Sequence, residues 1–142
     1  SFCGEAAQAH GWGGAALNPR IDFEDVTTVN IRFEGGAVGA MTSTSNVRTG
    51  KYSLELIGND FHLTLNYGAN RMAGHVGEET VEYEAAESGY YIQVERFIRA
   101  VREGDASLNR SDYADAARSL ALTLAANETL RTGQVVDVPK IA

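Results

Sequence analysis

The chain has 142 residues, 44% of them hydrophobic and 22% charged, with 12 basic side chains against 19 acidic ones. A net charge of −7 argues against nucleic acid or an anionic membrane as partner, since both select basic surfaces. No apolar run approaches the roughly 20 residues that cross a bilayer, and the length suits one domain with a core of its own, residues 1–142.

The chain begins Ser-Phe-Cys-Gly-Glu, without Met and apolar from the start, as expected of a piece of a longer protein. Cys3 has no second cysteine to pair with, which fits a reducing cytoplasm. Ala6 to Trp12 reads as a strand, followed by a loop through Gly13, Gly14, Asn18 and Pro19. Thr28 to Phe33 alternates: Val29, Ile31 and Phe33 face one way, Thr28, Asn30 and Arg32 the other. Glu34-Gly-Gly36 marks a hairpin, and Ala37 to Ser45 returns as a strand. Tyr52 to Ile57 and Phe61 to Tyr67 alternate again around Gly58-Asn-Asp60, and Glu79 to Glu84 is a further strand.

The period then changes. Tyr90, Val94, Phe97, Ile98 and Val101 recur at helical spacing, and Gly104-Asp105 ends that helix. Ser111 to Gly133 is a second helix, with Ser111 as the expected cap, Arg131 in its last turn and Gly133 as its stop. Ala117, Leu120, Ala121, Leu124 and Ala125 form its expected buried face, widened by Leu122 and Ala126. Gln134 to Pro139 is a last short strand. Strands first and helices after predict an α+β fold: an open, mostly antiparallel, meandering sheet with two helices on one face.

Enzyme motifs are nearly absent. There is no nucleophile elbow, and Gly11-Trp-Gly-Gly14 does not precede a helix, so no phosphate cradle is expected. His10, His62 and His75 lack metal-ligand spacing, and no metal site is expected. Glu24 and Asp25 are adjacent, and neighbours on a strand point to opposite faces, so a structural role is expected of them. Trp12, Asn18 and Arg20 flank the irregular loop and are the candidate substrate-binding residues, by stacking or by holding an anionic group. The polar strand residues Thr28, Asn30, Arg32, Glu55, His62 and Thr64 make a sheet face that is either solvated or an interface with a second copy. His62 with Glu55 is the one acid–base pair such a face could offer.

The ordered segments Phe23-Glu-Asp-Val, Phe33-Glu-Gly-Gly-Ala-Val-Gly-Ala, Leu56-Ile-Gly-Asn, Phe97-Ile-Arg-Ala-Val-Arg-Glu-Gly, Asp115-Ala-Ala-Arg-Ser-Leu and Thr132-Gly-Gln-Val-Val resemble the C-terminal domain of the glucose–fructose oxidoreductase / inositol dehydrogenase / MocA (Gfo/Idh/MocA) family. The resemblance covers roughly residues 3–138. It implies a parent that uses NAD or NADP to oxidise or reduce a sugar, cyclitol or related polyol. It also implies an N-terminal Rossmann domain as partner, with a Glu-Lys-Pro lysine there and an Asp-x-x-x-His helix at the start of the C-terminal domain. Phe2-Cys-Gly-Glu5 looks like the segment after that helix, so no catalytic residue of the family carries over to a position here. The implied role of this chain is a share of the substrate pocket and a homo-dimer or tetramer contact through the open sheet. No cofactor is expected to bind these residues alone and no turnover is expected from them. The alternative is a free-standing, non-catalytic binding or dimerisation module.

Overall fold

The structure, a computed structural model, describes residues 2–15 and 18–141. Eight strands and two helices follow in the order β1 (Ala6–Gly14), β2 (Val26–Phe33), β3 (Val38–Thr44), β4 (Ser53–Gly58), β5 (Phe61–Asn66), β6 (Arg71–Val76), β7 (Glu79–Glu84), α1 (Gly89–Glu103), α2 (Tyr113–Thr132) and β8 (Val136–Asp137), with a 3-10 turn at Ala106–Leu108. The α+β class and the antiparallel pairing are as expected. The strands form two four-stranded sheets, β3-β2-β1-β8 and β4-β5-β6-β7, a finer division than one meander. The chain correspondingly divides into two compact units, residues 1–48 with 111–142, and residues 49–110.

In the terminal unit, α2 packs on β1 and β8. Its buried residues are Ala121, Ala125, Ala126 and Thr129, which meet Ala9 of β1 and Val29 of β2, with Ile31, Leu122, Val136 and Val138 around them. The buried stripe therefore lies to one side of the expected one. Leu120 and Leu124 stay more than half exposed, because the small residues allow a closer seat than leucine would. Close approach recurs at both glycines of β1 that face the neighbouring layers. A Cβ on Gly11 would lie 2.6 Å from the Thr28 carbonyl oxygen, and one on Gly13 would lie 2.8 Å from Glu24 Cγ and 3.2 Å from Leu130 Cδ1. Thr129 is fully buried, and its hydroxyl donates to the Ala126 carbonyl at 2.7 Å, so the one hydroxyl in that interface is satisfied within the helix.

The cap of α2 differs from the expectation. Asp112 is the N-cap, its carboxylate accepting from Asp115 N at 2.7 Å. Ser111 instead donates to the Asp115 side chain at 2.8 Å. A carboxylate gains from the helix dipole as well as from the hydrogen bond, which a serine hydroxyl does not. Gly133 closes the helix at φ 69°, as its position suggests.

In the second unit, β5 and β6 are joined at Tyr67–Asn70 and β6 and β7 at Gly77. Strand β6 is absent from the sequence reading. Gly74 at its centre has φ 153°, and a Cβ there would lie 1.9 Å from the His62 carbonyl oxygen, so only glycine lets β6 lie against β5. Leu54, Leu56, Leu63, Leu65, Met72 and Val81 are the half-buried side of this sheet. Helix α1 is capped by Ser88, which accepts from Tyr91 N at 3.2 Å, and by Gly104 at φ 68°. Its main contacts are with the 3-10 turn. That turn is held by Asp105, whose carboxylate accepts from the Ser107 hydroxyl at 2.7 Å and from Ser107 N at 2.9 Å. The two bonds stabilise the anion and hold the Asp105 carboxyl below its ordinary value of 3.8.

Candidate functional site

Register fixes which polar side chains share a face, because residues directly opposite in an antiparallel pair lie on the same side. In the terminal unit, Gln8, His10 and Trp12 of β1 oppose Arg32, Asn30 and Thr28 of β2, which oppose Val38, Ala40 and Thr42 of β3. This is the side away from the Ala9, Val29 and Ala125 core. Trp12 is 63% exposed and meets His10 edge to face, with ring centroids 4.5 Å apart at 87°. The Thr28 and Thr42 hydroxyls lie 3.3 Å apart. A shallow hollow of about 400 Å³ is lined on this face by Gln8, His10, Asn30, Arg32, Ala40 and Val135. Thr28, Asn30 and Arg32 are thus brought together as expected, and Trp12 joins them.

Asn18 and Arg20 lie elsewhere, in the loop between β1 and β2. There the loop is tied by Asp25, which is buried (2% exposed). Its carboxylate accepts from Asn18 N at 2.7 Å, and its own N–H donates to the Gly14 carbonyl at 2.9 Å. The Asn18 side chain accepts from Arg20 N at 3.1 Å, an Asx-type turn. Asn18 is therefore spent on shaping the loop, and Asp25 has the structural role expected of it. Arg20 is exposed.

In the second unit, Glu55 opposes Thr64, and Ile57 opposes His62. His62 also opposes His75, and His75 opposes Thr80. His62 Nε2 lies 2.7 Å from Glu55 Oε1, with both side chains more than half exposed. Arg71 pairs with Glu82 on the same face. The His62–Glu55 pair is real, but it stands on an open surface with no wall to exclude water, so its electrostatics are those of a screened surface pair. The sequence weighs His10 and His75 only as metal ligands and does not place them on these faces. The alternation Gln8, His10, Trp12 could have found the first. The second needed β6.

Two further features bear on binding. A cleft of about 360 Å³ in the terminal unit is lined by Glu5, Phe33, Glu34, Arg118, Leu122 and Lys140, among others. Its cations are engaged: Arg118 with Glu5 at 3.6 Å and Lys140 with Glu34 at 2.6 Å, and the Glu34 carboxylate raises the Lys140 amine above its usual range. Among the described residues, no group of three His, Cys, Asp or Glu side chains could hold a metal, and no helix is long and apolar enough to cross a membrane. Gly11 to Gly14 is paired strand, not a turn opening a helix N-terminus. What the faces offer is stacking, hydrogen bonding and a mixed-charge surface.

No family model and no curated protein matches the chain. Solved structures do. A levoglucosan dehydrogenase in complex with NADH and levoglucosan superposes with a TM-score of 0.78 at 20% identity, covering 96% of this chain and 46% of its own. The WlbA dehydrogenase from Bordetella pertussis, in complex with NADH and UDP-GlcNAcA, gives 0.68 at 22% identity, covering 96% and 40%. An oxidoreductase domain protein from Kribbella flavida gives 0.78 at 17% identity, covering 95% and 45%. The fold is that of the C-terminal domain of Gfo/Idh/MocA-type oxidoreductases. The chain spans about half the length of these Gfo/Idh/MocA-type structures.

Proposed function

We propose that these residues are the substrate-side and oligomer-forming domain of an NAD(P)-dependent oxidoreductase acting on a sugar, cyclitol or related polyol. The observation that carries this is the superposition of 96% of the chain on 46% of a dehydrogenase solved with both NADH and a sugar derivative. Hydride transfer requires the nicotinamide to be held against the reacting carbon. In this reading an N-terminal Rossmann domain of the parent binds the dinucleotide and supplies the catalytic lysine, and a helix ahead of Phe2 supplies the catalytic Asp and His. The part of this chain is to orient the substrate and to hold copies together.

Within that reading, Trp12 and Arg20 are the substrate-facing side chains: an exposed indole for a sugar ring and a guanidinium for an anionic substituent. Asn18 acts through the loop it shapes. Thr28, Asn30 and Arg32 on one sheet, and Glu55, His62 and Thr64 on the other, are the polar faces offered to another copy. The chemistry takes place in the cytoplasm, where the nicotinamide pool is.

The test compares the product of the whole native gene with the 142-residue chain, each titrated with NADH and NADPH by fluorescence and assayed with a panel of polyols and anhydrosugars. The whole product should bind a nicotinamide nucleotide and turn over, and the chain alone should do neither. Turnover by the chain alone would defeat the division of labour. A whole product that binds no nucleotide would favour a free-standing binding or dimerisation module.

A further inference from the structure

The residue just ahead of β2 is held from both sides. Asp25 N–H donates to the Gly14 carbonyl at 2.9 Å, and the Asp25 carbonyl accepts from Ser45 N at 3.1 Å. These bonds continue by one step the pairings of Val26 with Gly14 and with Thr44, so the Asp25 backbone is fixed between β1 and β3. Its carboxylate is buried and accepts from Asn18 N at 2.7 Å, the length of a charge-assisted bond. From Asn18 the chain makes a tight turn. Ile21 N donates to the Asn18 carbonyl at 3.3 Å, and Arg20 N donates to the Asn18 side chain at 3.1 Å. Asn-Pro-Arg-Ile suits such a turn, since asparagine favours its first position and proline presets φ at its second. Arg20 is therefore the third residue of a turn that the Asp25 carboxylate roots in the sheet.

We propose that Asp25 is a positioning residue. It sets where the Arg20 guanidinium stands relative to the Trp12 indole, and so gives the site a preference for sugars or polyols that carry an anionic group. The proposal rests on the reading of Trp12 and Arg20 given above and deepens it. Trp12 lies two residues before Gly14, on the strand that Asp25 grips through its N–H. Arg20 hangs from the carboxylate of the same residue by way of Asn18. Arginine has several torsions of its own, so the reach of its head is narrowed only if its main chain is held. With the turn unrooted, the guanidinium would sweep a larger volume, and an anion would have to order it on binding. Aspartate suits this task because its short side chain places the carboxylate close to a fixed backbone, where a longer acid would add a further torsion. A group that only shaped the loop would affect neutral and anionic ligands alike. A group that places the guanidinium affects the anionic ones.

The test is a pair of binding titrations on the whole native gene product, with glucuronate and with glucose, which differ by one carboxylate. Each is run with and without NADH, on the native protein, Arg20→Ala, Asp25→Asn and the double variant. The native protein should prefer glucuronate by about tenfold, the worth of one charge-assisted hydrogen bond. Arg20→Ala should abolish the preference. Asp25→Asn, which keeps an acceptor oxygen but not the charge, should lower it by about threefold or more. The double variant should lose no more of it than Arg20→Ala alone, because the two residues act in series. Where circular dichroism shows Asp25→Asn unfolded, Asn18→Ala replaces it, since it cuts the bond to Arg20 N and spares the one between Asp25 and Asn18 N. A native protein without preference for glucuronate would overturn the proposal. So would an Asp25→Asn that weakens both sugars equally, or losses that add in the double variant. A gene product that binds no nicotinamide nucleotide yet keeps the ratio between the sugars would defeat the dehydrogenase reading and support the role of Asp25.

Discussion

The two units treat the same kind of sequence pattern differently. In the terminal unit the helix–sheet layer is made of small side chains, Ala9, Val29, Ala125 and Ala126, all at most 7% exposed. In residues 49–110 the apolar side chains are larger, yet Ala100 is the one residue there in the buried class. Tyr90 is 85% exposed, Phe97 59% and Ile57 73%. Helix α1 carries a clear amphipathic spacing, while α2 is apolar or small around most of its circumference. Periodicity tells which face a helix would bury, and not whether anything is laid against it. The terminal unit finishes its own core because alanines allow a close seat, whereas the apolar side chains of α1 are largely exposed.

That contrast can be broken at four points. Gly74→Ala should be the most damaging change, at roughly 3 kcal/mol or more, since the φ is hostile and the clash is with backbone that cannot rotate away. Urea denaturation would measure it, and a loss below about 1 kcal/mol would show that β6 does not lie this close to β5. Ala125→Leu should cost about 1–3 kcal/mol by forcing α2 off β1. A neutral or stabilising result would mean that the alanine layer is loosely packed. Removing the cap with Asp112→Ala should cost about 1 kcal/mol, and Ser111→Ala clearly less, an order that thermal melts of the two variants would check. Phe97→Ser should change stability by no more than about 0.5 kcal/mol. A loss of several times that figure would reveal that α1 is covered in solution, and the contrast between the units would then fail.

Much of the fold was legible because alternation and capping are local. Val29 and Ile31 against Asn30 and Arg32, and the stops at Gly104 and Gly133, needed no tertiary knowledge. Strand β6 was not legible: Arg-Met-Ala-Gly-His-Val has no clean alternation, and its central glycine reads as a breaker until the neighbouring carbonyl is seen. The buried stripe of α2 was displaced for a related reason. Hydrophobicity ranks leucine above alanine, but the spacing between layers decided in favour of the smaller side chain. For the candidate site, the polar faces followed from parity alone. The grouping of His10 with Trp12 follows from alternation within β1, whereas that of His62 with His75 required a register set by a turn. Asn18 was chosen for its place in a glycine-rich loop, and nothing in its neighbours shows that its side chain serves the turn.

The terminal unit is assembled from both ends of the chain, with residues 49–110 set between them. During synthesis, β1, β2 and β3 can pair as soon as they emerge, while the helix that covers Ala9 and Val29 is still to be made. At about 5–20 residues per second, the three strands wait several seconds for α2, with their apolar side open. The second unit has no such wait, since its strands and α1 are contiguous. Residues 49–110 are therefore complete on the ribosome before the terminal unit that starts ahead of them, and chaperones have their longest opportunity on β1, β2 and β3.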